Sequence, residues 1–268
     1  MLSQLLITTA FNFACFYPLF FWVNDSKLIN TGFYRFNLGF SCLSVLTGLA
    51  CLWLPNLVEL IGNQYLLPIR VLTILWSIAL LAVTVSFWNR NQIRVGIIAL
   101  PSILGVMVLF QVVGRSIIAS PNWEFETLLS FLGSLVLCSA IFAGVLGHWY
   151  LNVIDLPISL LDKATKLLWG LLGLRLLWSG FAASTLQIDH RGKLISMFQF
   201  LQTIDGLLLG VGLFFGVIFP LILTYMVYET IKVQSTQSAT GILYVLVTSI
   251  LMGELAYKYY LLEYGLVL

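Results

Sequence analysis

Charged residues are scarce in this sequence. Asp, Glu, Lys and Arg together make up 9% of the 268 residues, whereas soluble domains carry about 25%. Hydrophobic residues make up 60%, and so few charges cannot cover that much apolar surface in water. The composition therefore excludes a soluble globular fold.

Basic runs and metal-binding or redox cysteine motifs are also missing. The net charge is only +2, and Lys and Arg form no cluster along the chain, so the sequence predicts no nucleic-acid partner. The four cysteines show no CxxC, CxxCH or iron–sulfur spacing. All four fall within apolar runs, where we expect them to pack as small apolar side chains.

Eight apolar runs of about 20 residues each fill the chain. A helix of about 20 residues crosses the ~30 Å hydrocarbon core of a bilayer. The sequence therefore predicts an all-α, polytopic integral membrane bundle of about eight transmembrane helices with short loops, forming one membrane domain over residues 1–268. The predicted spans are 4–23, 36–55, 66–88, 94–118, 127–150, 164–186, 203–229 and 240–262.

The two histidines of the chain, His148 and His190, are separated by one predicted span. That span places them near opposite faces of the membrane, about 30 Å apart. One haem or one metal ion cannot bridge this distance, so we expect no metal site and no haem held by both. A haem with a single histidine ligand is an alternative that we do not favour.

Two charged residues lie deep within predicted spans. Arg175 is about twelve residues into the sixth span and Glu254 about fourteen residues into the eighth, and both spans start from the same face. Their depths therefore agree to within about one helical turn, ~5 Å. A charge at the bilayer centre is costly and usually finds a partner. We expect an intramembrane ion pair between them, acting as a lock between helices or as a proton relay.

Histidine, tyrosine and carboxylate side chains converge in depth near one membrane face. A quinone carbonyl accepts a hydrogen bond and, on reduction, a proton, which imidazole and carboxylate groups can supply. This set is therefore our candidate quinone- or lipid-binding site, with a plain aromatic belt as the alternative. Its members are His148, Trp149, Tyr150, Tyr225, Tyr228 and Glu229.

A second polar pair, Gln111 and Arg115, lies four residues apart on the fourth predicted helix. Arg115 either extends its long side chain to the lipid head groups or, if it faces the bundle, contacts an anion or a partner protein. Near the seventh span, residues 197–202 are expected to lie along the interface, and Pro220 to kink the helix.

Small residues on the seventh span predict close helix packing. Four glycines give two GxxxG spacings, a pattern that lets helix backbones approach one another in membranes. A flat glycine face against a planar cofactor or a carotenoid is the alternative. The four are Gly206, Gly210, Gly212 and Gly216.

These features favour a membrane subunit of a larger energy-transducing (redox or electron-transfer) complex, with no catalytic residue or independent activity of its own. We expect quinone as its only candidate cofactor, membrane lipids and other membrane subunits as partners, and a bacterial cytoplasmic or organellar membrane as its location. The alternatives are a small-solute or ion transporter with Arg175 and Glu254 at the midplane, and a purely structural subunit. An intramembrane enzyme using His148 with Glu229 is a weaker alternative.

Overall fold

The computed structural model of this chain describes residues 2–54, 63–88, 90, 94–116, 123–153, 156–190 and 192–267, without the side chains of residues 2, 63, 64, 115 and 116. Over this part of the chain the protein is helical apart from one two-stranded hairpin. The prediction of an all-α polytopic bundle is confirmed.

In the first part of the chain, the structure describes five α-helices. A short 3₁₀ helix, Tyr17–Trp22, continues the first of them. The five are α1 Leu2–Phe16, α2 Thr31–Cys51, α3 Asn63–Trp88, α4 Val95–Ser116 and α5 Trp123–Asn152.

The remaining elements include the hairpin and a long helix with a wider turn inside it. This turn is a π-helical segment, Phe214–Ile218, between α8 and α9. The elements are α6 Ser159–Thr185, β1 Gln187–His190, β2 Lys193–Ser196, α7 Met197–Leu201, α8 Ile204–Leu213, α9 Phe219–Lys232 and α10 Thr236–Tyr264.

Within the described residues, seven helices are long and apolar enough to cross a membrane. Large apolar side chains such as Leu177 and Leu207 stay exposed on them, as expected for surfaces that contact lipid chains. The chain is therefore an integral, multi-pass membrane protein. The seven are Ser3–Trp22, Tyr65–Trp88, Val95–Gly114, Trp123–Asn152, Ser159–Thr185, Ile204–Lys232 and Thr236–Tyr264.

The second predicted span, 36–55, is the one that is not among these seven. A helix does occupy the region, but α2 begins at Thr31 and ends at Cys51. It starts early because the Asn30 side chain accepts a hydrogen bond from a backbone N–H of the first turn, which caps the helix. Arg35 and Asn37 then lie inside it and lower its mean hydropathy.

Residues Met1–Thr127 form one compact unit. In it α1 packs against α2 and α4, and α3 also packs against α2 and α4. The contact of α1 with α2 is close because Gly48 leaves room for the ring of Phe11. Asn37, fully buried, accepts a hydrogen bond from Tyr17 and donates one to a carbonyl of its own helix 2.7 Å away. The hydrogen bond from Tyr17 thus connects the 3₁₀ helix to α2.

Residues Leu128–Leu268 form a second compact unit. Here α10 packs against α8 and α9, and α9 packs against α6. The part of α5 in this unit lies close to α10 at Gly147, where a Cβ would meet Thr240 Oγ1 at 2.9 Å. Leu168, Leu246 and other apolar side chains of α5, α6, α9 and α10 form a common core. All the charged residues of the candidate site belong to this unit.

The turn between α8 and α9 has a chemical explanation in Pro220. In the π-helical segment the N–H of Phe219 donates to Phe214 O, and Pro220 has no N–H to donate. The carbonyl of Phe215 therefore receives no hydrogen bond from these two residues, and the Ser249 hydroxyl of α10 donates to it at 2.6 Å. The sequence predicted a kink at Pro220, and the structure accommodates the proline with this wider turn.

The hairpin β1–β2 was not predicted. Ile188 pairs with Ile195 and Asp189 with Leu194 across two antiparallel strands, and Gly192 has a positive φ of 77°. The following helix α7 falls on the predicted interfacial segment and begins with a capping box between Ser196 and Gln199.

Candidate functional site

Arg175 and Glu254 lie together in the interior of the second unit. Arg175 is 2% exposed and Glu254 4% exposed, and Arg175 Nη2 is 3.8 Å from Glu254 Oε2. Each residue lies ten positions before the end of its own helix, α6 or α10, which corresponds to about 15 Å along the axis. The sequence placed these two residues at matching depths, and in the structure their side chains are also close together. A role as lock or relay stays a prediction.

A third charged residue, Lys258, completes the cluster. It lies one turn after Glu254 on α10, is 4% exposed, and forms an ion pair and hydrogen bond with Glu254 Oε1. Lys258 Nζ also donates to Ser134 Oγ of α5 at 3.2 Å, and Ser134 donates to Glu254 Oε1 at 3.4 Å. Three helices, α5, α6 and α10, therefore supply the polar groups.

Two glycines make room for this cluster. A Cβ on Gly133 of α5 would overlap the Glu254 carboxylate and the Arg175 guanidinium. On α10, Gly253 lies against the backbone of Gly216, where a Cβ would overlap both the Cα and the N of that residue. The absence of side chains at these positions lets the helices approach closely enough to enclose the charges.

The hydrogen bonding of the cluster is incomplete on the side of Arg175. Its Nε and Nη1 atoms are buried and have no hydrogen-bond partner among the described residues, while the Tyr257 hydroxyl lies beside the Arg175 and Ser179 side chains. The guanidinium carbon lies 4.3 Å from the centre of the Tyr257 ring, a cation–π contact. That contact leaves the N–H donors unused, and buried unpaired donors are costly.

The formal charges of the cluster do not cancel. Arg175 and Lys258 each contribute +1 and Glu254 contributes −1, which leaves +1. Among the described residues, no further Asp or Glu lines the cavity beside these three. Buried charges are normally paired, so an excess cation in a membrane interior indicates a site for a compensating charge.

A small cavity borders the charged side chains. Its volume of about 10 Å³ is room for about one water molecule. The C-terminal residues Leu266 and Val267 cover it because Gly265, with a φ of 64°, turns the chain back after α10. Trp178 Nε1 fixes this return by donating to the Val267 carbonyl at 3.2 Å. The cavity is lined by Ser130, Arg175, Glu254, Tyr257, Lys258, Leu261, Leu266 and Val267.

The six residues predicted to form a quinone or lipid site have separate contacts. His148 Nδ1 is 2.7 Å from the Tyr244 hydroxyl of α10, and Tyr150 donates to the carbonyl of Pro157. Trp149, which lies between His148 and Tyr150 in the sequence of α5, is half-buried. Glu229 forms an exposed ion pair with Lys232 at 2.7 Å.

Only Tyr225 and Tyr228, of these six, line a common groove. The groove has a volume of about 240 Å³, and its other lining residues are Thr165, Lys166 and Trp169 of α6. Lys166 is exposed and pairs with Asp162 at 2.7 Å. Aromatic rings with one ammonium group at the rim suit an amphipathic head group.

Comparison with known proteins assigns no family. No protein-family model, no curated protein and no solved structure matches this chain. The functional proposals below therefore depend on the geometry and charges of its own residues.

Two predicted sets remain, the Gln111–Arg115 pair and the four glycines. Gln111 is exposed on α4, and the side chain of Arg115 lies outside the described residues. Of the four glycines, Gly212 and Gly216 face α10 closely: a Cβ on Gly212 would lie 2.8 Å from Ala256 Cβ, and one on Gly216 2.8 Å from Tyr257 Cε2. The other two do not. A Cβ on Gly206 would overlap the carbonyl of Phe200, and a Cβ on Gly210 would have only the Leu201 side chain within 4 Å outside its own helix backbone, among the described residues.

Sequence reasoning missed Lys258, Ser134 and Tyr257. The spacing of Lys258, four residues after Glu254, was a usable signal because such residues share a helix face. Ser134 and Tyr257 had no comparable signal, since hydroxyl groups are common in membrane helices. Their position depends on how each helix is rotated about its axis, which the apolar runs do not determine.

Proposed function

We propose that this chain carries a small ion or solute across the membrane, with Arg175, Glu254 and Lys258 at the site of passage. The observation that supports this proposal most directly is the buried cluster with a formal charge of +1 inside membrane-spanning helices. Ionisable groups at such depth usually face a pathway or a substrate site.

A purely structural lock accounts less well for these residues. A lock needs one cation for one anion, and here two cations share a single carboxylate. Two buried nitrogen atoms of Arg175, Nε and Nη1, also have no partner among the described residues, and a stabilising contact would have used them. Buried ion pairs are in any case often no more stabilising than apolar side chains of similar volume.

The proposal is tested with the purified full-length chain in lipid vesicles. A salt gradient is imposed, and charge movement and internal pH are followed with a potential-sensitive and a pH-sensitive dye. We expect faster dissipation than in protein-free vesicles, and loss of this activity in Glu254→Gln. Glu263→Gln is the matched control, because Glu263 is an exposed carboxylate on the same helix.

Two results decide the outcome. Wild-type vesicles that respond no faster than protein-free vesicles in either assay would refute transport. Equal activity of Glu254→Gln and wild type, with both proteins eluting as single peaks in gel filtration, would show that the ion does not pass through this cluster.

The aromatic groove supports a second candidate function. A quinone or lipid head group between Trp169, Tyr225 and Tyr228 is consistent with a membrane subunit of a larger electron-transfer complex. Its setting would be a bacterial cytoplasmic or an organellar energy-transducing membrane. A short-chain quinone should then raise the unfolding temperature of the wild type, an effect that Trp169→Ala loses and that Trp88→Ala, an exposed position on α3, retains.

Co-purifying chains provide an independent test of this second function. Native mass spectrometry after gentle solubilisation should find redox subunits in stoichiometric amounts. A chain without partners, unaffected by quinone, would rule the second function out.

A further inference from the structure

We infer that the ion recognised at this cluster is a monovalent anion of about halide size. The inference deepens the proposed transport function and rests on it for the passage of the ion, but not for its binding. It follows from three properties of the second unit: the sign of the uncompensated charge, the hydrogen-bonding groups left unused, and the volume of the cavity.

The charge of the cluster selects an anion. Arg175 and Lys258 are both at most 4% exposed, and Glu254 neutralises only one of them. A bound monovalent anion would bring the formal charge to zero, whereas a bound cation would raise it to +2. Since charge is expensive in a membrane interior, the neutral arrangement is strongly favoured.

The unused hydrogen-bonding groups select the same kind of ligand. Arg175 Nε and Nη1 can only donate hydrogen bonds, and both lack a partner. The Tyr257 hydroxyl lies beside Arg175 and Ser179, and it can also donate. Arg175 and Tyr257 line the cavity, as does Lys258. A ligand without hydrogens of its own, such as a halide, can accept from the donors that face the cavity.

The Glu254 carboxylate is already occupied on the other side of the cluster. Oε1 is bonded to Lys258 and Ser134, and Oε2 faces Arg175 Nη2 at 3.8 Å. It therefore holds the two cations in place, while the Nε and Nη1 edges of the guanidinium stay available to a ligand.

The volume of the cavity limits the size of the anion. A space of about 10 Å³ holds one water-sized particle. Fluoride and chloride are close to this size, and the neighbouring Leu261, Leu266 and Val267 side chains leave no room for a sulfate or an organic acid. The site should therefore discriminate anions by size.

Binding is measured on the purified full-length chain in detergent micelles, independently of transport. The unfolding midpoint is recorded at constant ionic strength while sodium gluconate is replaced by sodium fluoride or chloride. We expect a saturating rise with either halide, because a ligand that binds only the folded state stabilises it. Sulfate should have no such effect.

Two variants assign the effect to this site. Arg175→Lys keeps the charge but loses the planar guanidinium with its several donors. The chloride concentration at half-saturation should therefore rise by about tenfold or more. Tyr257→Phe keeps the ring over the guanidinium and removes one hydroxyl that borders the cavity, so a smaller increase of about threefold is expected even if Arg175→Lys does not fold. Lys163→Gln, exposed on the same helix as Arg175, should behave as the wild type.

The results separate this inference from the transport proposal. Equal stabilisation in gluconate and chloride, or an unchanged chloride response in both variants, would overturn anion binding. Chloride binding in micelles without any flux in vesicles would support the anion site and refute transport. Flux carried by protons or cations, with no halide response, would support transport and refute the anion site.

Discussion

Removing the single carboxylate of the charged cluster should destabilise the protein far more than removing one of its two cations. Glu254→Gln changes the formal charge from +1 to +2 in a region where Arg175 and Lys258 are almost fully buried. Breaking a buried pair from one side costs about 3–5 kcal/mol. We expect a loss of stability in this range.

Lys258→Met should have a much smaller effect. It removes the hydrogen bonds from Lys258 to Glu254 and Ser134, but it also brings the formal charge of the cluster to zero. Removing one partner of a buried ion pair is costly when it leaves an uncompensated charge, and here Arg175 still compensates Glu254. The variant should therefore stay within about 1 kcal/mol of the wild type.

The double variant tests the charge argument directly. Glu254→Gln with Lys258→Met has the same formal charge as the wild type, so it should be about 2 kcal/mol more stable than the sum of the single effects. Unfolding is followed by circular dichroism in mixed micelles with gluconate as the only anion, because gluconate is too large for the cavity. Single variants with equal costs that add to within about 0.5 kcal/mol would refute the reasoning.

Three further substitutions test the packing within the two units, each measured as a change in the free energy of unfolding in mixed micelles. Ser249→Ala removes the donor to the Phe215 carbonyl and should cost about 1 kcal/mol, whereas a change below 0.2 kcal/mol would show that the carbonyl finds another donor. Gly253→Ala would overlap the backbone of Gly216 and should cost about 1–3 kcal/mol, and a stabilised variant would contradict that contact. Asn37→Leu removes the hydrogen bond that Asn37 accepts from Tyr17 and should cost about 1–3 kcal/mol, and an unchanged stability would contradict the contribution of this bond.

The membrane-spanning helices could be predicted because their signal is local and strong. A run of about 20 apolar residues has few alternatives to a transmembrane helix, and the predicted spans 66–88 and 203–229 lie close to Tyr65–Trp88 and Ile204–Lys232. Hydropathy alone was less reliable at α2, where buried polar residues such as Asn37 belong to the helix. It also gave no indication of the β1–β2 hairpin, whose ten residues are too few to form an apolar run.

The depth of each candidate site residue in the membrane could be predicted, but the side of the helix on which it lies could not. Counting residues from the span ends was sufficient to place Arg175 and Glu254 at one level. The same counting grouped His148 with Tyr225 and Tyr228, yet His148 contacts Tyr244 and the two tyrosines line a groove with α6. Rotation of a helix about its axis depends on side-chain packing with its neighbours, which one sequence does not reveal.

Lys258 shows why this rotation matters for function. Depth alone gives a neutral Arg175–Glu254 pair, for which a lock between helices is a sufficient explanation. The position of Lys258 on the same face of α10 as Glu254 turns that pair into a cluster with an excess positive charge. Because a membrane interior does not tolerate an uncompensated charge without cost, the third residue changes the chemical question from how two helices are held together to which anion completes the site.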